Sequence, residues 1–169
     1  MHARARTPWI MMFAILCGCA TGGTGEAPAS RSEDIAVQAA MLRWLMENND
    51  SALGPSATAF CVGIGTGLVI REPSPALIRA LQGTFPRVQG VSSCRWARDA
   101  VVGRRVVDDL SGAPALALFV EHPEWSGPDE ARIWAEYLER PGHGTGYDCE
   151  LVRGPEGWRV ADCRSGFPR

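Results

Sequence analysis

His122 and His143 are the two histidines outside the amino-terminal segment of this 169-residue chain. His122 stands in Glu121-His122-Pro123-Glu124, and His143 in Pro141-Gly142-His143-Gly144. A histidine beside a carboxylate such as Glu121 or Asp148 has the make-up of a general acid–base pair. The plainer reading is that both are loop histidines in water, so no catalytic residue is assigned. No Cys-x-x-Cys or His-Glu-x-x-His occurs, so neither a metal nor another cofactor is expected, although His122, His143 and a carboxylate have the composition of a metal site. Gly63-Ile64-Gly65-Thr66-Gly67 has neither the spacing nor the following helix of a phosphate loop. No Gly-x-Ser-x-Gly marks a serine nucleophile. All seventeen basic residues are arginine. That excludes Schiff-base chemistry, a P-loop lysine and a Ser-Lys dyad. Trp96, Trp125, Trp134 and Trp158 fit a ligand groove or a partner surface, and fit ordinary core and rim packing better.

The six cysteines fall into two groups, Cys17 and Cys19 near the start, then Cys61, Cys94, Cys149 and Cys163. Arg4 and Arg6 precede the apolar run Trp9–Leu16. Eight residues are far short of the roughly 20 that span a bilayer, so the run reads as the core of a secretion signal. It ends in Leu16-Cys17-Gly18-Cys19, which resembles the lipobox of bacterial lipoproteins. The resemblance implies cleavage before Cys19 and lipidation of that cysteine. Cys17 stands where a smaller Ala, Ser or Thr is commoner. Two other readings are a conventional cut after Ala20, from Gly18-x-Ala20, and a short buried helix. In bacterial lipoproteins, Ala20 rather than Asp after the cysteine favours the outer membrane. The expectation is a lipid-anchored protein of the cell envelope, facing periplasm or surface. Ala20 to Ser30 is rich in Gly, Thr, Pro and Ala and reads as a flexible tether.

Without residues 1–18 the chain has 151 residues, fifteen basic against nineteen acidic side chains, enough for one domain with a core. A mildly acidic domain is a poor match for nucleic acid, and no such partner is expected. The division is therefore a signal at 1–18, a tether at 19–31 and one domain at 32–169.

Several elements must position these residues. Ser30-x-x-Glu33 has capping-box spacing. Ile35, Ala39, Leu42 and Met46 follow at helical period, with Trp44 and Leu45 broadening the stripe. Ala59–Ile64 reads as a strand, Phe60, Val62 and Ile64 on one face and Cys61, Gly63, Gly65 and Gly67 on the other. Glycines at alternate positions invite close approach, expected from one of the chain's own helices. Ser74-Pro75 opens a short helix with Leu77, Ile78 and Leu81 on its apolar face, and Gly83 stops it. From Val88 the period is two. Ala100–Val107 and Ala115–Val120 flank a turn at Ser111-Gly112, and Tyr147–Arg153 and Trp158–Cys163 flank Gly154–Gly157. Residues 130–140 have helical composition but alternate Ile133, Ala135 and Tyr137 with Arg132, Trp134 and Glu136; a strand is predicted.

Four cysteines in an oxidising compartment suggest two disulfides. With a three-residue loop, Pro155 to Gly157, Gly154 faces Trp158 and Cys149 comes opposite Cys163. A rival register places Arg153 opposite Trp158, aligns Leu151 with Val160 and sends Cys163 to the wrong face. The compartment argues for Cys149–Cys163, leaving Cys61–Cys94 to pin the short helix to the sheet.

The order is helix, strand, helix, then antiparallel strands. That is an α+β fold, a curved antiparallel sheet with an amino-terminal and a short second helix on one face. Cys61-Val-Gly, Pro73-Ser74-Pro75-x-Leu77-Ile78, Ser92-Ser93-Cys94 and Gly146-Tyr147…Gly157-Trp158-Arg159-Val160 resemble a group of bacterial secreted or lipoprotein domains near the cystatin-like rolls of the nuclear transport factor 2 superfamily. The resemblance spans residues 58–163. It implies a roll, often with a pocket between helices and sheet, and implies no activity. The functional expectation is a non-catalytic domain, held at a membrane by the Cys19 lipid, that meets an envelope protein, glycan or lipid. The alternative is a small hydrolase or isomerase-like enzyme with a His/carboxylate pair in the pocket.

Overall fold

A computed structural model describes residues 29–167 except 52–55, 68, 84, 86 and 102. The predicted signal, Cys17, Cys19 and residues 19–28 of the tether lie outside the described residues. Helix α1 covers Ala29–Asn48 and α2 Pro75–Leu81. Strands β1 (Ala59–Ile64), β2 (Arg87–Gly90), β3 (Cys94–Asp99), β4 (Gly103–Asp108) and β5 (Ala115–Val120) lead to β6 (Glu124–Gly127), β7 (Glu130–Arg140), β8 (His143–Gly154) and β9 (Gly157–Gly166). The fold is α+β, two helices with a mostly antiparallel, mixed sheet. Helix α1 starts one residue before Ser30, so it takes in the last residues assigned to the tether. Ser74 caps α2 as predicted, its hydroxyl accepting from the Leu77 N–H at 3.2 Å.

The main sheet runs β2-β1-β5-β7-β8-β9, with β6 also on β7. It is not wholly antiparallel, as the sequence suggested, because β1 runs parallel to both β2 and β5. The strand–helix–strand order around α2 carried that signal, since a helical crossover lets consecutive strands run parallel. Every residue of β5, Ala-Leu-Ala-Leu-Phe-Val, is buried. Both its edges are paired, to β1 and to β7, and both its faces are covered. Continuous apolar sequence is what such a strand needs.

On one face α1 and α2 cover Phe60, Val62, Leu116, Leu118, Ile133, Ala135, Tyr147 and Cys149. On the other, β3 and β4 form a separate two-stranded ribbon. Val106 of the ribbon packs with Ala59, Cys61, Ala115, Ala117 and Phe119. This corrects the predicted hairpin around Ser111-Gly112. β4 pairs with β3, and with the segment before β5 it makes the isolated bridge Val107–Pro114 rather than a ladder. The visitor to the β1 glycines is not a helix either. A Cβ at Gly63 would lie 2.6 Å from the Ile70 side chain and 2.9 Å from Phe119. Gly65, at φ +104°, lets the loop fold back so closely that a Cβ there would meet the Val69 carbonyl at 2.3 Å.

Residues 130–140 form a strand, as predicted. In the β8–β9 hairpin both candidate registers occur. Gly154 faces Gly157, Arg153 faces Trp158 and Leu151 faces Val160, the rival pairing. A bulge then shifts β9 by one residue, so that Glu150 faces Asp162 and Cys149 faces Cys163. One inserted residue reverses which face a strand presents, and the disulfide closes on the helix-covered side with Cα atoms 4.2 Å apart. Cys61–Cys94 also forms. Its role differs from the one expected, because Cys61 faces away from the helices. The bond fastens the β3–β4 ribbon to β1, not α2 to the sheet.

Candidate functional site

The face opposite the helices splits in two. The ribbon covers β1 and β5, whereas β6, β7 and β8 carry charged side chains there. Alternation along β7 places Arg132, Trp134 and Glu136 on this face, because Ile133, Ala135 and Tyr137 point to the helices. Register then places Glu124 and Glu150 on either side of Arg132, and Asp148 beside Trp134. Arg132 reaches diagonally to Asp148 through two hydrogen bonds, Nε to Oδ1 at 2.7 Å and Nη2 to Oδ2. Asp148 holds the guanidinium above its ordinary pKa, and Glu124 and Glu150 add to the effect. Gly146 makes room for the neighbouring indole, since a Cβ there would lie 2.1 Å from the Trp134 ring.

His122 sits in the link between β5 and β6. Both strands run along one edge of β7, so the link must bow outward between them. The Glu121 N–H donates to the Trp134 carbonyl at 3.0 Å. Its carbonyl accepts from Gln38 Nε2 at 3.0 Å, and its carboxylate accepts the Thr66 hydroxyl at 2.6 Å. These bonds tie the link to α1 and to the loop after β1. His122 lines two clefts. One, of about 170 Å³, contains Glu121, Glu124, Arg132, Trp134 and Asp148. The other, of about 300 Å³, has Ile35 and Ile64 among its lining and Asp34, Gln38, Arg71 and Ser74 among its polar groups. A third, of about 380 Å³, continues from Glu124 and Arg132 to Glu130 and Glu150.

His122 therefore does share a cleft with carboxylates, among them Asp148, which accepts from Arg132, and Glu121, which accepts from Thr66. His143 is not part of it. It begins β8 at the β7–β8 turn, exposed, with Nδ1 3.2 Å from Arg140 Nη2. Among the described residues no group of three or more His, Cys, Asp or Glu side chains is placed to hold a metal ion.

The tryptophans divide by role. Trp158 donates to Glu33 at 3.2 Å, and Trp125 to Asp34 at 3.1 Å. Their rings meet edge to face at 5.5 Å, and the Arg153 guanidinium lies 5.2 Å over Trp158 while bonding Glu33. Hydrogen bonds from Arg153 and Trp158 hold the Glu33 carboxyl below its ordinary pKa. This clamp fixes the start of α1. Trp96 lies on the ribbon, 37% exposed.

Two acidic residues escaped the sequence reading. Asp108 is 3% exposed at the end of β4. It accepts the Ser111 hydroxyl at 2.5 Å, Gln89 Nε2 at 3.0 Å and Arg87 Nη1 at 3.2 Å, and the bonds from Ser111 and Gln89 lower its pKa to about 2. Asp followed three residues later by Ser is a turn signal that marks such a bond. Glu136 is 1% exposed. Alternation gives its face, but only the ribbon packing beside Leu138 explains its burial. Among the described residues no helix is long and apolar enough to cross a membrane. No family model, curated protein or solved structure matches the chain.

Proposed function

We propose that this chain is a lipid-anchored domain of the cell envelope that binds a partner and does no chemistry. The observation that carries the address is the pairing of all four cysteines of the domain, Cys61–Cys94 and Cys149–Cys163. Paired cysteines belong to an oxidising compartment; residues 1–18 are the proposed export signal and Cys19, at the end of Leu16-Cys17-Gly18-Cys19, the proposed anchor. Two helices on one face and charged clefts on the uncovered part of the other leave a surface on which a partner can sit. The binding role draws support from the open clefts on the β6–β8 part of the sheet, which charged side chains and Trp134 line. Cys19→Ser is expected to move the protein from the membrane fraction to the soluble fraction and to abolish lipid labelling. Wild-type protein that stays soluble and unlabelled overturns the anchor.

One observation favours a second reading, hydrolase- or isomerase-like catalysis. His122 lines a cleft with Glu121, Glu124 and Asp148. The two readings part at His122→Ala combined with His143→Ala. The binding reading expects cells carrying this variant to match the wild type, with stability within about 0.5 kcal/mol. A folded variant with the null phenotype establishes the catalytic reading instead.

A further inference from the structure

We infer that the outer edge of β9 pairs, antiparallel, with the same edge of a second copy of this chain. The inference goes beyond the proposed binding role and does not depend on it. β9 ends the main sheet, and among the described residues no strand lies on its outer side. It runs for 10 residues, most of them exposed, and no proline interrupts it. A free edge of that length presents a row of N–H and C=O groups to any strand that fits it.

The bulge in β9 selects the occupant. An extra residue ordinarily spoils an edge, because a regular strand falls out of step beyond it. A second copy brings the same extra residue and sets it opposite the first. Trp158, Val160 and Cys163 pack on the helix side. Alternation, broken once at the bulge, therefore puts Arg159, Asp162 and Arg164 on the other face. Registers that set a residue opposite its own copy match the two faces on one side of the bulge alone. Two registers centred at the bulge match them along the strand. One sets Arg159 opposite the copy's Asp162, Trp158 opposite its Cys163 and Val160 opposite its Ala161. The other sets Arg159 opposite the copy's Arg164.

Charge decides between them. Arg159 and Asp162 are exposed, and among the described residues neither makes an ion pair. Asp162 instead faces Glu150 across the hairpin, carboxylate against carboxylate, an arrangement that like charges disfavour. In the first register each Asp162 gains an arginine, and the two-fold axis makes the pair twice. In the second register the same axis sets arginine against arginine twice. The first register is the one the sequence of β9 supports.

The test is sedimentation velocity of the full-length protein in mild detergent, with micelles in excess over chains, between about 1 and 100 µM protein. Wild type is expected to pass from monomer to dimer in this range. Arg159→Asp alone and Asp162→Arg alone each turn two attractions into two repulsions, and each is expected to weaken the dimer roughly tenfold. The double variant exchanges the signs and is expected to dimerise like wild type. So is an equimolar mixture of the two single variants, in which each chain meets the opposite charge at both positions. Recovery in the mixture also shows that the single variants are folded. A wild type that stays monomeric at about 100 µM overturns the inference. So does a dimer that neither reversal weakens, or one that Arg159→Asp strengthens, as the rival register requires. A double variant and a mixture that both stay monomeric overturn it as well.

Discussion

The two faces of the main sheet are made from the same strands and do opposite work. Toward the helices, β5, β7 and β8 present Leu116, Leu118, Ile133, Ala135, Tyr147 and Cys149, all buried. Away from them, the same β7 and β8 present Arg132, Trp134, Asp148 and Glu150 around open clefts. Over β1, β5 and the Glu136–Leu138 end of β7 the second face is closed, by a ribbon held through Cys61–Cys94. The difference places the larger core on one face and leaves the uncovered part of the other open to the partner that we propose. A strand of period two can satisfy both demands at once.

The sharpest way to break this comparison is one truncation on each face. Leu118 is 0% exposed beneath the helices. Leu118→Ala removes its packing and leaves a cavity, and is expected to cost about 4 kcal/mol in urea unfolding followed by tryptophan fluorescence. Arg132→Ala, on the other face, loses one exposed ion pair and is expected to cost less than about 1 kcal/mol. Equal costs would abolish the division between the faces.

A smaller effect tests the bulge that returns Cys163 to the helix side. Replacing Cys149 and Cys163 together by Ala opens a bridge between residues 14 apart in sequence. The expected loss is about 3 kcal/mol, mainly through a freer unfolded chain. No loss would mean that packing against α1, and not the bridge, holds β9 in place.

This hairpin also shows how much the sequence disclosed. Alternation revealed β7, Ser74-Pro75 revealed α2, and the compartment argument revealed both cysteine pairs. Local counting gave two registers because each holds over part of the hairpin. The bulge between them is a tertiary compromise between the turn at Gly154–Gly157 and the disulfide. The separation of β4 from β5 was hidden for a similar reason. A strand as apolar as Ala115–Val120 is drawn between two partners, β1 and β7, while β4, with Arg104 and Arg105 exposed or half-buried, is left to pair with β3. At the site, the sequence singled out His122, Glu121 and Asp148 but not their arrangement. The cleft depends on the register of β6, β7 and β8, and the burial of Glu136 depends on the ribbon.

The smallest expected effect is confined to acid and concerns the ribbon's junction. Asp108 has a folded-state pKa of about 2, lowered from 3.8 chiefly by the Ser111 hydroxyl and Gln89. A depressed carboxyl pKa adds stability above the unfolded value that is lost as pH falls toward the folded one. Thermal unfolding of wild type is expected to lose part of its Tm between about pH 4 and 2 on this account. Asp108→Asn is expected to start from a lower Tm at pH 7 and to lose less across that window. Parallel Tm–pH curves for the two proteins would show that Asp108 does not anchor the ribbon.

The claim that joins these features is that an oxidised domain is carried into the envelope on a lipidated cysteine. The most direct measurement is the intact mass of the protein purified from membranes, taken before and after reduction. The account expects a chain beginning at Cys19 with acyl groups added, gaining four hydrogens on reduction as Cys61–Cys94 and Cys149–Cys163 open. A chain that keeps residues 1–18, or begins elsewhere without lipid, or gains no hydrogens on reduction, contradicts it.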